Sequence, residues 1–86
     1  MARVVLALRA RRDLLALDWP VIDAIEDALG LLERDPLVGH PLRGRLAGLR
    51  SLKVGTYRVI HEVRSDQLVR IVAIRDRGAV YRTVEG

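Results

Sequence analysis

Residues 49–63, LRSLKVGTYRVIHEV, decide the architecture of this 86-residue chain. From Tyr57 to Arg64 the side chains alternate. Tyr57, Val59, His61 and Val63 point one way, and Arg58, Ile60, Glu62 and Arg64 the other, which is the period of a strand with two unlike faces. Leu49 to Val54 reads as the strand before it. Gly55-Thr56 between the two suits a two-residue hairpin turn with glycine first. Downstream, Ser65-Asp66 turns the chain into Leu68 to Arg75, an apolar central strand, and Asp76 to Gly86 is left as a loop with room for a short terminal strand.

Upstream the signals differ. Residues 2–8, ARVVLAL, are short, apolar and β-branched, and predict a buried strand. Ala10 to Leu17 carries Leu14 and Leu17 at helical spacing. A second helix starts at Asp18 or Trp19 with Pro20 in its first turn, where a missing N–H costs nothing. Val21, Ile25, Ala28, Leu29 and Leu32 then form one apolar stripe, and Pro36 ends the helix. Residues 36–48 hold two prolines and three glycines and predict a loop, without the Gly-Lys-Ser/Thr of a phosphate-binding P-loop. The order β-α-α-β-β-β predicts a single α+β domain over residues 1–86. In it a helical hairpin packs on the sheet face bearing Val59, His61 and Val63, with three antiparallel strands at its C-terminal end.

Composition narrows the chemistry. There is no cysteine, so disulfides and thiolate chemistry are excluded. No stretch approaches the ~20 apolar residues of a membrane span, and nothing at the N-terminus reads as a signal peptide, so a cytoplasmic protein is expected, with no membrane partner. The net charge of +4 conceals a segregation: residues 1–42 carry five basic and seven acidic side chains, residues 43–82 ten basic and three acidic. Such a cationic half fits a phosphate-rich partner. His40 reads as a solvated loop residue and His61 as a core or half-buried one. The acidic residues of the second helix read as its solvated face. No serine triad and no His/Glu cluster at metal spacing is present, so neither a metal nor another cofactor is expected.

What remains is cationic. Arg50, Lys53, Arg58, Arg75, Arg77 and Arg82 fall on or beside three adjoining strands, with Tyr81 among them. Fixed guanidiniums can stabilise a pentacoordinate phosphorane, and an aromatic ring can stack on an unpaired base. RNA brings its own nucleophile, the 2′-hydroxyl. Taken without a family pattern, Arg58 is better explained by pairing with Glu62 or a neighbouring strand, while exposed strand-end charge accounts for Arg75 and Arg77, and closing the edge of the core for Tyr81.

The stretches LRSLKVGTYRVIHEV (49–63) and VRIVAIRDRGAVYR (69–82) resemble the RelE/ParE toxin superfamily. The shared pattern is a basic strand, Gly-x-Tyr-Arg-Val-Ile opening the next, and Arg-x-Arg-x-x-Val-Tyr after the last. The resemblance implies the toxin of a type II toxin–antitoxin system, an endoribonuclease that cuts mRNA on the ribosome without a metal. It also implies a cognate antitoxin as partner, with operator DNA reached only through that antitoxin. By the same resemblance, Arg58 matches the arginine that contacts the scissile phosphate, Arg75 the one proposed to protonate the leaving 5′-oxygen, and Tyr81 the tyrosine that orients the nucleotide. Lys53 holds a basic position in the preceding strand. Leu49 and Ser51 stand where the RelE prototype has lysines, one implicated in removing the 2′-hydroxyl proton, which leaves that role to Lys53 or Arg50. Arg43, Arg45, Arg50, Arg77 and Arg82 are expected to bind RNA. A ParE-like inhibitor of DNA gyrase, or a degraded toxin that only binds its antitoxin, are the alternatives.

Overall fold

The computed structural model describes residues 1–76. Strand β1 (Arg3–Leu6) leads directly into helix α1 (Leu8–Leu15) and then helix α2 (Trp19–Arg34). A two-residue strand β2 (His40–Pro41) and a 3-10 turn (Gly44–Leu46) follow. Strands β3 (Arg50–Val54), β4 (Tyr57–Ser65) and β5 (Leu68–Asp76) complete the sheet. Helix α2 begins where the sequence places it, with Asp18 extended at the cap and proline in the first turn. It stops at Asp35, which leaves helical geometry because a residue before proline is disfavoured there.

The sheet has five strands in the order β1-β5-β4-β3-β2. β3, β4 and β5 are antiparallel as expected, whereas β1 pairs with β5 in parallel. A parallel pair needs a long crossover, and the helices supply part of it. The expected loop 36–48 contains β2, whose His40 pairs with Ser51. Gly39, just before β2, has a φ of +89°, and a Cβ there would overlap the Ser51 carbonyl oxygen. Only glycine fits that approach.

One side of the sheet is closed by the helices. Ala10 of α1 and Ile25 and Leu32 of α2 pack on Val59, Val69, Ile71 and Ile74 in one buried cluster. Leu29 lies against its margin. His61 shares this face and is fully buried. Its Nδ1–H donates to the Val59 carbonyl at 3.2 Å, while Nε2 has no partner among the described residues. Burial pushes the His61 pKa down and the Arg50 charge adds to this, against the opposing effect of the Val59 and Val38 carbonyls.

Two local devices fix the end of β5. β1 stops at Leu6, opposite Ile71, so the outer edge of β5 beyond that point has no strand neighbour. Helix α1 replaces it: the Ala7 amide donates to the Ile71 carbonyl at 2.9 Å, and the Ile74 amide donates to Asp13 Oδ2 at 2.9 Å. The second device is a bulge. Consecutive residues Ile60 and His61 of β4 pair with Ala73 and Ile71, leaving Val72 as an extra residue in β5. The alternation of β5 therefore changes phase, and Ile71 and Ile74, three apart, both face the core.

Candidate functional site

The face of the sheet away from the core cluster carries a row of cations. Lys53 lies opposite Arg58 in the β3–β4 ladder, and Arg58 lies opposite Arg75 in the β4–β5 ladder. Directly opposed residues project to the same face with Cβ atoms roughly 4.5–5.5 Å apart, and like charges so placed repel. Among the described residues none of the three makes an ion pair or a side-chain hydrogen bond. Glu62, the acidic partner that the sequence offers to Arg58, is bound to Arg64 at 3.1 Å instead. An anion seated on the row relieves the repulsion.

Arg58 and Arg75 also line one cleft of about 440 Å³. Ile60, Val72 and Ala73 form its floor. Leu42, Leu46 and Leu49, from the segment that precedes β3, form an apolar wall. That segment is held by its own backbone, with the Leu42 amide donating to the Leu49 carbonyl at 2.9 Å and the Leu49 amide to the Leu46 carbonyl at 3.0 Å. The cleft thus offers guanidiniums for a phosphate beside apolar surface for a base or ribose.

Not every expected residue comes here. Arg43 and Arg45 are exposed on the segment that supplies the leucine wall. Arg50 lies apart from the row. It pairs with His61 and belongs to the core-facing set of β3, opposite in parity to Lys53. Its Nη2 donates to the carbonyls of Leu37 at 2.6 Å and Gly39 at 3.3 Å. Arg50 therefore fastens the loop before β2, on the opposite face from Lys53, Arg58 and Arg75. Arg77, Tyr81 and Arg82 lie outside the described residues.

The sequence reading missed Arg9. This residue of α1 lines the same cleft as Arg58 and Arg75. Its signal was hidden because it sits in the acidic half of the chain, and only the crossover of α1 onto the free edge of β5 brings it near. His40 is exposed and outside the cleft. Among the described residues no group of three or more metal-ligating side chains converges. No helix among them is long and apolar enough to cross a membrane.

A helical hairpin on one face of a five-stranded sheet, with a basic cleft on the other, is the architecture that the RelE/ParE resemblance implies. The comparisons place the chain more narrowly. Residues 4–81 match the ParE toxin family of type II toxin–antitoxin systems, and the chain belongs to that family. It is 42% identical to Toxin RelG of Mycobacterium tuberculosis (strain ATCC 25618 / H37Rv) over 76 residues, 85% of this chain and 87% of that protein. The crystal structure of the M. tuberculosis toxin–antitoxin complex RelBE2 matches with a TM-score of 0.80 at 39% identity, over 88% of this chain and 91% of that one. The isolated E. coli RelE toxin matches with a TM-score of 0.76 over 99% of this chain and 96% of that one. At 19% identity it speaks for the fold alone.

Proposed function

We propose that this toxin is a metal-independent endoribonuclease that cuts mRNA on the ribosome and so stops translation in the cytoplasm. The observation that carries the reading is the Arg58–Arg75 pair, directly opposed on adjacent strands, in one cleft and without acidic partners among the described residues. In the reaction the substrate's 2′-hydroxyl oxygen attacks phosphorus and its proton passes to a base. The P–O5′ bond breaks, and the leaving oxygen takes up a proton. The products are a 2′,3′-cyclic phosphate and a 5′-hydroxyl. Arg58 holds the non-bridging oxygens, and Arg75 stabilises and protonates the leaving oxygen. Preorganised charge of this kind needs no reorganisation as the transition state forms. Lys53, at the other end of the row, takes the position nearest the 2′-hydroxyl. Tyr81 orients the nucleotide by stacking, and Arg43, Arg45, Arg77 and Arg82 bind neighbouring phosphates.

The cognate antitoxin is the expected protein partner, as the M. tuberculosis relative is a toxin–antitoxin complex. Operator DNA is reached only through that antitoxin. The family match itself favours a second reading, a ParE-like inhibitor of gyrase. Induction of the chain in bacteria separates the two. Labelled leucine incorporation falling at once, with primer-extension stops appearing within messages, supports the ribonuclease. An earlier fall in thymidine incorporation, with filamentation, supports gyrase and removes the ribonuclease.

A further inference from the structure

We propose that Arg9 binds an RNA backbone phosphate flanking the one that is cut, so that helix α1 extends the phosphate track beyond the sheet. The proposal rests on the ribonuclease reading and adds a residue that neither the charge segregation nor the family pattern points to.

Three observations carry it. Lys53, Arg58 and Arg75 occupy successive strands β3, β4 and β5, so the row crosses two strand spacings, roughly 9–10 Å. The row therefore runs across the strands toward β5 rather than along any one of them. A bound strand crossing the row toward β5 next meets α1, because β1 has ended and α1 occupies the free edge of β5. Arg9 is the α1 residue that lines the cleft with Arg58 and Arg75.

Second, Arg9 is available. Its side chain is 59% exposed, and its partner Asp13 is 4.0 Å away, a long surface pair that contributes little to stability. Arg50 contrasts with it, because that guanidinium is already committed to two loop carbonyls. Third, α1 is fixed rather than loosely apposed. Asp13 accepts the amide of Ile74, the residue next to Arg75, so helix and strand end are joined beside the cleft. Arg9 and Arg75 are therefore held in a constant relation while the Arg9 side chain stays free to turn onto a phosphate.

The test is the salt dependence of binding to a fluorescent single-stranded RNA made entirely of 2′-O-methyl nucleotides, which lacks the nucleophile and stays intact. Each phosphate contact contributes roughly 0.7 to the slope of log K against log salt for a single strand. Arg9→Ala is expected to lower that slope by about 0.7, and Arg9→Lys to restore it, because charge alone sets it. Arg11→Ala is the control, since Arg11 lines a different groove, with Val5 and Leu15. It should leave the slope unchanged. Unfolding midpoints of the Arg9 variants should match the wild type. Wild-type binding with the same slope in Arg9→Ala would overturn the proposal, as would equal losses in Arg9→Ala and Arg11→Ala, which would mark a net-charge effect. A wild type with no affinity for the RNA at low salt would also overturn the proposal, because the protein would then hold no phosphate track of its own, whereas failure of the ribonuclease reading on which the proposal stands is read separately in the induction experiment.

Discussion

The two faces of the sheet are built from alternate residues of the same strands, yet they obey opposite rules. On the helix-covered face Val59, Ile71 and Ile74 are buried, and even the polar members are put to structural use: His61 is sealed in and Arg50 clamps a loop. On the open face Lys53, Arg58 and Arg75 stand in a row with no acidic partner among the described residues. Basic character alone therefore does not tell which side chains reach the cleft. Arg50 and Lys53 are three residues apart, and strand parity sends one to the core side and the other to the cleft side.

The largest effect is expected on the covered face. Leu32→Ala should cost on the order of 2–5 kcal/mol, read as a drop in urea midpoint, because Leu32 is completely buried against the sheet. A loss below half of that range would mean the hairpin packs more loosely than described. On the open face, Arg75→Ala should lower cleavage of a ribosome-bound message by roughly 100–1,000-fold with an unchanged urea midpoint. Arg70→Ala, one bulge away on the same strand, should lower it only slightly and in a salt-dependent way. Unchanged cleavage by Arg75→Ala would take this residue out of the reaction.

Arg50→Ala tests the division directly. Losing hydrogen bonds from a charged donor to two carbonyls should destabilise the fold by about 1.5–3 kcal/mol. RNA affinity measured under folding conditions should hardly move, whereas Lys53→Ala should show the reverse pattern. Equal RNA-binding losses in both would erase the distinction between the faces. The smallest effect is that of pH. With the His61 pKa lowered on folding, the unfolded chain binds a proton first as pH falls below about 6.5. Stability is thus complete above that value and declines toward the lowered pKa, by at most ~1.4 kcal/mol per pH unit. Urea midpoints at pH 7.5 and 5.5 should differ in the wild type and differ less in His61→Leu; equal differences would place the acid sensitivity elsewhere.

Local pattern made much of this legible. The alternation of Tyr57 to Arg64, the Gly55-Thr56 turn and the Pro20 and Pro36 boundaries all fall within a residue or two of the observed elements. What sequence pattern could not carry was pairing across distance. The parallel partner of β1 lies more than 60 residues away, and β2 has only two residues, too few for any periodicity. Arg58 and Arg75 were identifiable from the family pattern, but not that they share a face, because the bulge at Val72 changes the phase of β5. Arg9 was invisible for a related reason: its neighbours in space come from the other end of the chain.

The bulge makes this chain sensitive to a change of length in β5. Were β5 to alternate without interruption from Ile71, positions 73 and 75 would fall on the helix-covered side, and Arg75 would be driven into the core. The location of this arginine is therefore set by the number of residues in the strand as much as by their kinds. Val72 acts as a spacer, much as one added base shifts a reading frame. A toxin could exchange Val72 for another residue of similar size and keep its cleft. Deleting it would leave every charged residue of the chain in place in the sequence and still turn Arg75 away from the cleft.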